Sequence, residues 1–162
     1  MTVVRPAEPD DWAVVREIRL RALAESPSAF ASTLAREEAF GEEDWRRRLQ
    51  HGYCFLAQAG GRTVGTVAGF AEEDVSDEHH LVAMWVEPAH RGTPAATELV
   101  EAVCRRARED GAAAVRLWVV DGNERARRLY ERLGFVSTGE RQPLPSAPEI
   151  GEELLRRDLG TA

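Results

Sequence analysis

Between His79 and Phe135 the apolar pattern changes period repeatedly. A strand-like run, "HHLVAMWV" (79–86), gives way to Ala96, Leu99, Val100, Val103 and Ala107, which follow one helical face and stop at Gly111. A second strand, "AAVRLWVV" (113–120), precedes a second helix, "NERARRLYERLGF", with Ala126, Leu129, Tyr130 and Leu133 on one face and Gly134 placed as its C′ residue. Strand, helix, strand, helix in that order reads as a sheet crossed by helices.

The flanks add strands around this unit. "VVRP" (3–6) reads as a first strand, and Val14, Val15, Ile18 and Ala22 mark a helix from Asp11 to Leu23 with Asp10 as N-cap and Trp12 in its opening turn. Pro27 and Gly41 break the next segment into two short helical pieces, the second around Trp45 and Leu49. "YCFLAQ" (53–58) and "TVGTVAGF" (63–70) flank the turn "AGGR", a hairpin. Two last strands, near 135–138 and 150–158, are expected on either side of a proline-rich loop, "RQPLPSAPE". The sum is a mixed α/β (α+β) chain of one domain, residues 1–162, without repeats or a dividing linker.

Composition narrows the function classes. The chain has no lysine, all 21 basic residues being arginine, which removes Schiff-base chemistry and the lysine-dependent phosphate loop. A net charge of −7 argues against nucleic acid as a partner. No run of about 18 apolar residues occurs, so no membrane helix is expected. The N-terminus lacks a signal-peptide layout, and Cys54 and Cys104, outside any metal-binding spacing, read as reduced core residues; a cytoplasmic protein is expected.

The chemistry concentrates in "HRGTPAATELV" (90–100). Backbone N–H groups at a helix start are without intrahelical partners, and the helix dipole favours an anion there. Pro94 deletes one donor, which a Pro94→Gly substitution would restore, while Gly92, Thr93, Ala95 and Ala96 and the Thr93 and Thr97 hydroxyls remain. Proline at the first helical position is well tolerated.

"MWVEPAHRGTPAATELV" followed by "LWVVDGNERARRLYERLGF" resembles the GNAT acetyltransferase superfamily, and the resemblance covers Val4 to about Leu159. It implies a central twisted mixed sheet of about seven strands with helices on both faces, and transfer of an acetyl group from acetyl-CoA to a primary amine by direct attack in a ternary complex, with no metal. It further implies that Arg91, Gly92, Thr93, Ala95, Ala96 and Thr97 hold the pyrophosphate, that the strand ending at Met84, Trp85 and Val86 lends backbone groups to the pantetheine arm, and that Asn123 touches the cofactor or caps its helix. Pro94 stands where the family's first motif glycine belongs.

Tyr130, within Leu129-Tyr130-Glu131-Arg132-Leu133-Gly134-Phe135, is the expected catalytic residue: a phenol within reach of the sulfur can protonate the departing thiolate. A glutamate that serves some relatives as base is replaced by Trp118, leaving Glu37, Glu38, His79 and His80 as candidates. The acceptor, a small-molecule or peptide amine, would sit between the segments Ser28–Phe40 and Arg141–Pro148. The base, the acceptor's identity and the choice between monomer and homodimer stay open. A non-catalytic GNAT-like binding protein with a degenerate cofactor loop is the alternative.

Overall fold

The computed structural model describes residues 1–72 and 77–160. One seven-stranded sheet runs in the order β1-β2-β3-β4-β5-β7-β6. Its strands are β1 (Thr2–Pro6), β2 (Tyr53–Ala59), β3 (Arg62–Ala71), β4 (Glu78–Val86), β5 (Ala114–Val120), β6 (Val136–Leu144) and β7 (Ala147–Asp158). Neighbours are antiparallel except β4 and β5, which are parallel.

Among the described residues five α-helices cover the two faces. On one side α4 (Ala95–Glu109) and α5 (Glu124–Arg132) bury Leu99, Val103, Leu117, Phe135 and Leu155. On the other, α1 (Trp12–Glu25), α2 (Leu34–Glu38) and α3 (Glu42–His51) bury Ile18, Leu23, Trp45, Leu56 and Trp85. The helix-forming periodicities of 96–107 and 126–133 thus mark the faces that pack.

Three local expectations need correction. The N-cap of α1 is Asp11, because residues 9–11 form a 3₁₀ turn of their own in which the Asp11 carboxylate accepts the Glu8 N–H at 2.7 Å and binds Arg5. Pro94 is the N-cap of α4, one position earlier than the first-turn site, and its φ of −65° is the value its ring imposes. The proline-rich segment 141–148 is mostly strand: Arg141, Gln142 and Pro143 pair with Glu153, Glu152 and Gly151, and only Pro145 and Ser146 lie between β6 and β7. β6 is the edge of the sheet, where a proline costs no ladder bond on its outer side.

Glu37 ties the short helices together. It is fully buried, takes a bidentate contact from Arg19 at 3.0 and 3.1 Å, and binds Arg48 at 3.0 Å. Burial by itself would raise its pKa; Arg19 and Arg48 outweigh that and hold the carboxyl below its usual range.

The feature that makes a site is a parting of strands. β4 and β5 pair only from Glu78↔Ala114 to His80↔Arg116 and then separate. On the other side of β4, Thr66 to Ala68 of β3 spans Trp85 to Val82, three steps against two, so β4 carries an extra residue. Ala83 sits there with a φ of +58°, in the left-handed region. The bulge turns β4 away from β5 and leaves backbone groups without a ladder partner.

Candidate active site

The parted strands open into a cleft of 1270 Å³ between α4, α5 and the loop after α1. Met84, Trp85, Val86, Arg91, Gly92, Thr93, Ala96, Thr97, Asn123 and Tyr130 all line it; Ala95, fully buried, does not. The sequence candidates therefore converge on one place, although their roles divide differently from expectation.

Because the Glu87 N–H donates to Val64 at 2.8 Å, alternation of the antiparallel ladder turns the peptide groups of Trp85 toward β3 and those of Met84 and Val86 toward the cleft. The Trp85 indole packs with α1, donating its N–H to Glu25 at 2.9 Å. Met84 and Val86 thus bring backbone to the cleft, while Trp85 fixes the strand to the helix behind it.

The loop before α4 is held by side chains and offers backbone. Arg91 donates to the Val86 carbonyl at 2.9 Å and to both oxygens of Glu25 at 3.3 and 2.9 Å, so its guanidinium braces the loop. The Arg91 contact, foremost, holds the Glu25 carboxyl down at about 2. Glu87 gathers Arg21, Arg62 and His90 under the preceding turn. Gly92, at φ +86°, occupies a conformation that costs other residues roughly 1–2 kcal/mol. The N–H groups of Gly92, Thr93, Ala96 and Thr97 have no partner among the described residues, whereas that of Ala95 reaches the Thr93 hydroxyl at 3.4 Å. That hydroxyl itself donates to the His90 carbonyl at 2.6 Å. Four convergent donors survive the presence of Pro94, with Thr97 N–H in place of Ala95 N–H. Such a nest at a helix start fits a pyrophosphate.

The spacing of Leu-Tyr-x-x-x-Gly-Phe has a local explanation. Gly134, at φ +95°, ends α5 as a Schellman turn in which the Phe135 N–H bonds the Tyr130 carbonyl at 3.0 Å and the Gly134 N–H bonds Glu131 at 3.1 Å. This folds the Phe135 ring edge-on against the Tyr130 ring, centroids 5.8 Å apart. The phenol is thereby fixed in position, with its hydroxyl at the cleft and no hydrogen-bonding partner among the described residues. Burial pushes its pKa above the ordinary tyrosine range, so it keeps its proton at all working pH values. At the other end of α5, the Asn123 side chain accepts the Ala126 N–H at 3.4 Å, a cap, and the residue lines the cleft.

Sequence reading missed three arginines. Arg125, Arg128 and Arg132 lie along one side of α5, line the cleft and form no ion pair among the described residues, while Arg127 is bound to Glu153 and Glu131. Their spacing of three and four on an amphipathic helix was the available signal. In a chain of net charge −7, three uncommitted guanidiniums along one cleft provide for a polyanion.

The opposite mouth of the cleft is lined by Phe30, Trp118 and Ile150. The Ser146 hydroxyl donates to the Phe30 carbonyl at 2.6 Å, joining the β6–β7 turn to the loop after α1. The expected bases are elsewhere. Glu37 is committed to arginines, Glu38 is exposed away from the cleft, His79 bonds the Tyr53 hydroxyl at 2.8 Å, and His80 stacks on Phe70 and bonds Glu72 at 3.1 Å. Burial lowers the pKa of both histidines. Glu152 of β7, only 4% exposed, sits beside the cleft-lining Val120 and Ile150 without lining the cleft itself, and its Oε1 accepts from Gln142 at 2.6 Å. Its signal was the strand phase: Ile150, Glu152 and Leu154 alternate, which sets a carboxylate in an inward position.

Comparison with known proteins agrees with this geometry. The model of the acetyltransferase (GNAT) family matches residues 15–135. The mycothiol acetyltransferase of Thermomonospora curvata is 33% identical over 135 residues, 82% of this chain and 43% of that protein. N-acetyltransferase 8F1 of Rattus norvegicus is 33% identical over 94 residues, 56% of this chain and 42% of that one, so the chain spans less than half the length of these two relatives. Among solved structures, an acetyltransferase of the GNAT family from Streptococcus pneumoniae superposes with a TM-score of 0.84 at 22% identity, covering 99% of this chain and 100% of that one. The yncA protein of Salmonella typhimurium, solved with its cofactor acetyl-CoA, superposes at 0.80 with 17% identity, covering 100% and 96%. The parted parallel strands and the free N–H groups at a helix start are carried by a fold shared with these acetyltransferases. The chain belongs to the acetyltransferase (GNAT) family.

Proposed function

We propose that this protein is a single-domain N-acetyltransferase of the reducing cytoplasm that moves an acetyl group from acetyl-CoA to a primary amine of a small molecule or peptide. The observation that carries this reading is the cleft itself, with free N–H groups at one end, unpaired strand backbone along it and a lone phenol within it. When bound, acetyl-CoA supplies the acetyl group in activated, thioester form.

The residues then divide the work. Gly92, Thr93, Ala96 and Thr97 would hold the pyrophosphate by backbone, Arg125, Arg128 and Arg132 would offset the remaining phosphate charge, and Met84, Val86 and Asn123 would orient the pantetheine arm. Tyr130 holds a proton at its hydroxyl for the sulfur as negative charge develops there. Direct attack by the amine is favoured because both cysteines are buried and burial pushes each thiol up to about 11, leaving no thiolate nucleophile at neutral pH. A non-catalytic binding protein would share the nest and the arginines; the fixed, unpartnered Tyr130 hydroxyl favours the enzyme.

The test is a thermal-shift titration with acetyl-CoA followed by thiol release with a panel of amines. A concentration-dependent rise in Tm and amine-dependent CoA formation are expected. No shift at millimolar acetyl-CoA defeats the reading, and a shift without turnover leaves the binding protein.

A further inference from the structure

Of the four tryptophans, only Trp118 lies outside both cores. Trp45 and Trp85 belong to the core under α1 and α3 and Trp12 packs against it, whereas Trp118 stands half-buried in the wall of the cleft. It sits two residues beyond His80↔Arg116, the last pair that joins β4 to β5, so its strand has no neighbour on the β4 side at that point. Leu117 and its partner Leu155 point into the core under α4 and α5, where Tyr130 also lies. Alternation therefore turns Trp118 to the opposite face, the face of α1 and Phe30. The cleft passes between the parted strands from the Tyr130 side of the sheet to the Trp118 side.

On the Trp118 side the lining offers aromatic and aliphatic surface, from Phe30, Trp118 and Ile150, and no charge to spare. The acids that line the cleft are Glu25, Asp121 and Glu124. Glu25 is bound to Arg91 and to the Trp85 indole, and Asp121 to Arg141. Glu124 is exposed at the start of α5, the helix that packs on the other face. Among the described residues no histidine or cysteine lines the cleft. An alkylammonium, which like lysine gives up its proton only near about 10.4, would enter charged, lose hydration against these apolar walls and find no group beside them to take the proton. An amine on an aromatic ring shares its lone pair with the ring, is neutral at pH 7 and meets neither cost.

Resting on the acetyltransferase reading above, we infer that Trp118 selects the acceptor: with Phe30 and Ile150 it forms the platform for an arylamine, a primary amine borne directly on an aromatic ring, which enters neutral. The proton account closes without a base in the cleft. The neutral nitrogen forms the C–N bond as the C–S bond breaks, and the sulfur takes the Tyr130 proton. The proton released by the nitrogen passes to solvent, and the phenol regains one from solvent.

Calorimetric binding in the presence of CoA tests this without turnover, with 4-ethylaniline and its isomer 2-phenylethylamine as probes. At pH 7 the arylamine is expected to bind at least about 10²-fold more tightly, because so small a share of an alkylamine is neutral there. From pH 6 to 9 its affinity should be flat, while that of 2-phenylethylamine should rise about tenfold per unit as its neutral share grows. Trp118→Ala should weaken 4-ethylaniline by roughly tenfold and Trp118→Phe by less, each keeping the acetyl-CoA thermal shift. Trp118→Glu, which sets a carboxylate at the mouth, should move the preference at least about tenfold toward 2-phenylethylamine. Equal binding of the two isomers by the parent, tighter binding of 2-phenylethylamine, binding of neither, or a pH-independent affinity for 2-phenylethylamine overturns the inference, whether or not the variants fold. A Trp118→Ala protein that keeps the acetyl-CoA shift and binds 4-ethylaniline like the parent overturns it too. Loss of the acetyl-CoA shift in the parent is a separate result and strikes the acetyltransferase reading instead.

Discussion

The two mouths of the cleft are built on opposite plans. The cofactor mouth comes from one stretch, residues 84–132, and works mainly through backbone: N–H groups at the start of α4 and unpaired peptides of the bulged β4. The proposed acceptor mouth has Phe30, Trp118 and Ile150, with the β6–β7 turn strapped to Phe30, and would work through side chains. Backbone chemistry can be carried by a short motif because helix starts and glycine turns dictate where N–H groups point. Side-chain chemistry depends on which distant segments meet.

The largest expected effect probes the phenol on which the proposed transfer turns. Tyr130→Phe keeps the edge contact with Phe135 and removes only the hydroxyl, so kcat should fall by about 10²–10⁴ with the acetyl-CoA Kd nearly unchanged. Steady-state kinetics beside calorimetry separates the two; parental kcat would reduce Tyr130 to a core residue. Next, Glu25→Gln should loosen the cofactor mouth alone, weakening acetyl-CoA by about tenfold as Arg91 loses its charged anchor. Since the folded pKa of Glu25 is depressed to about 2, its stabilising contribution is whole above the ordinary carboxylate value and fades as pH falls toward 2. The Tm gap between parent and variant should therefore be flat from pH 5 to 8 and close in acid. A gap that widened in acid would contradict the ion pair.

Smaller effects sharpen the comparison. Arg125→Ala with Arg128→Ala should weaken acetyl-CoA about 3–10-fold in low salt and less in high salt, since exposed charges are screened; an effect indifferent to salt would place these side chains outside the phosphate field. Pro94→Gly should tighten acetyl-CoA by only about 2–10-fold, because the donor it restores is offset by the flexibility glycine adds to a loop whose proline already has its natural φ. Unchanged or weaker binding would mean that the nest never used a fifth N–H.

The contrast also explains what could be read from the sequence. Helices α4 and α5 and Gly134 as a C′ residue follow from local periodicity and turn chemistry, and the structure has them. The β6–β7 hairpin was obscured by Pro143, whose acceptability depends on β6 being an edge strand, a property of the whole sheet. Glu37 looked like an available base because its two arginine partners lie 11 and 18 residues away along the chain. Glu152 was overlooked because a single carboxylate in strand phase gains meaning only when Val120 and Gln142 are beside it.

The Ser146–Phe30 hydrogen bond joins residues 116 apart in sequence. Closing so long a chain segment is entropically dear and has little local structure to guide it, whereas α4, β5 and α5 meet through short connections. The strap thus belongs to the last part of the molecule to assemble and the first to open. In native-state hydrogen exchange, the amides around Ser146 and Phe30 should open in a smaller, cheaper unit than those of α4. Under mild denaturant the protein should lose its choice of amine before it loses its grip on acetyl-CoA.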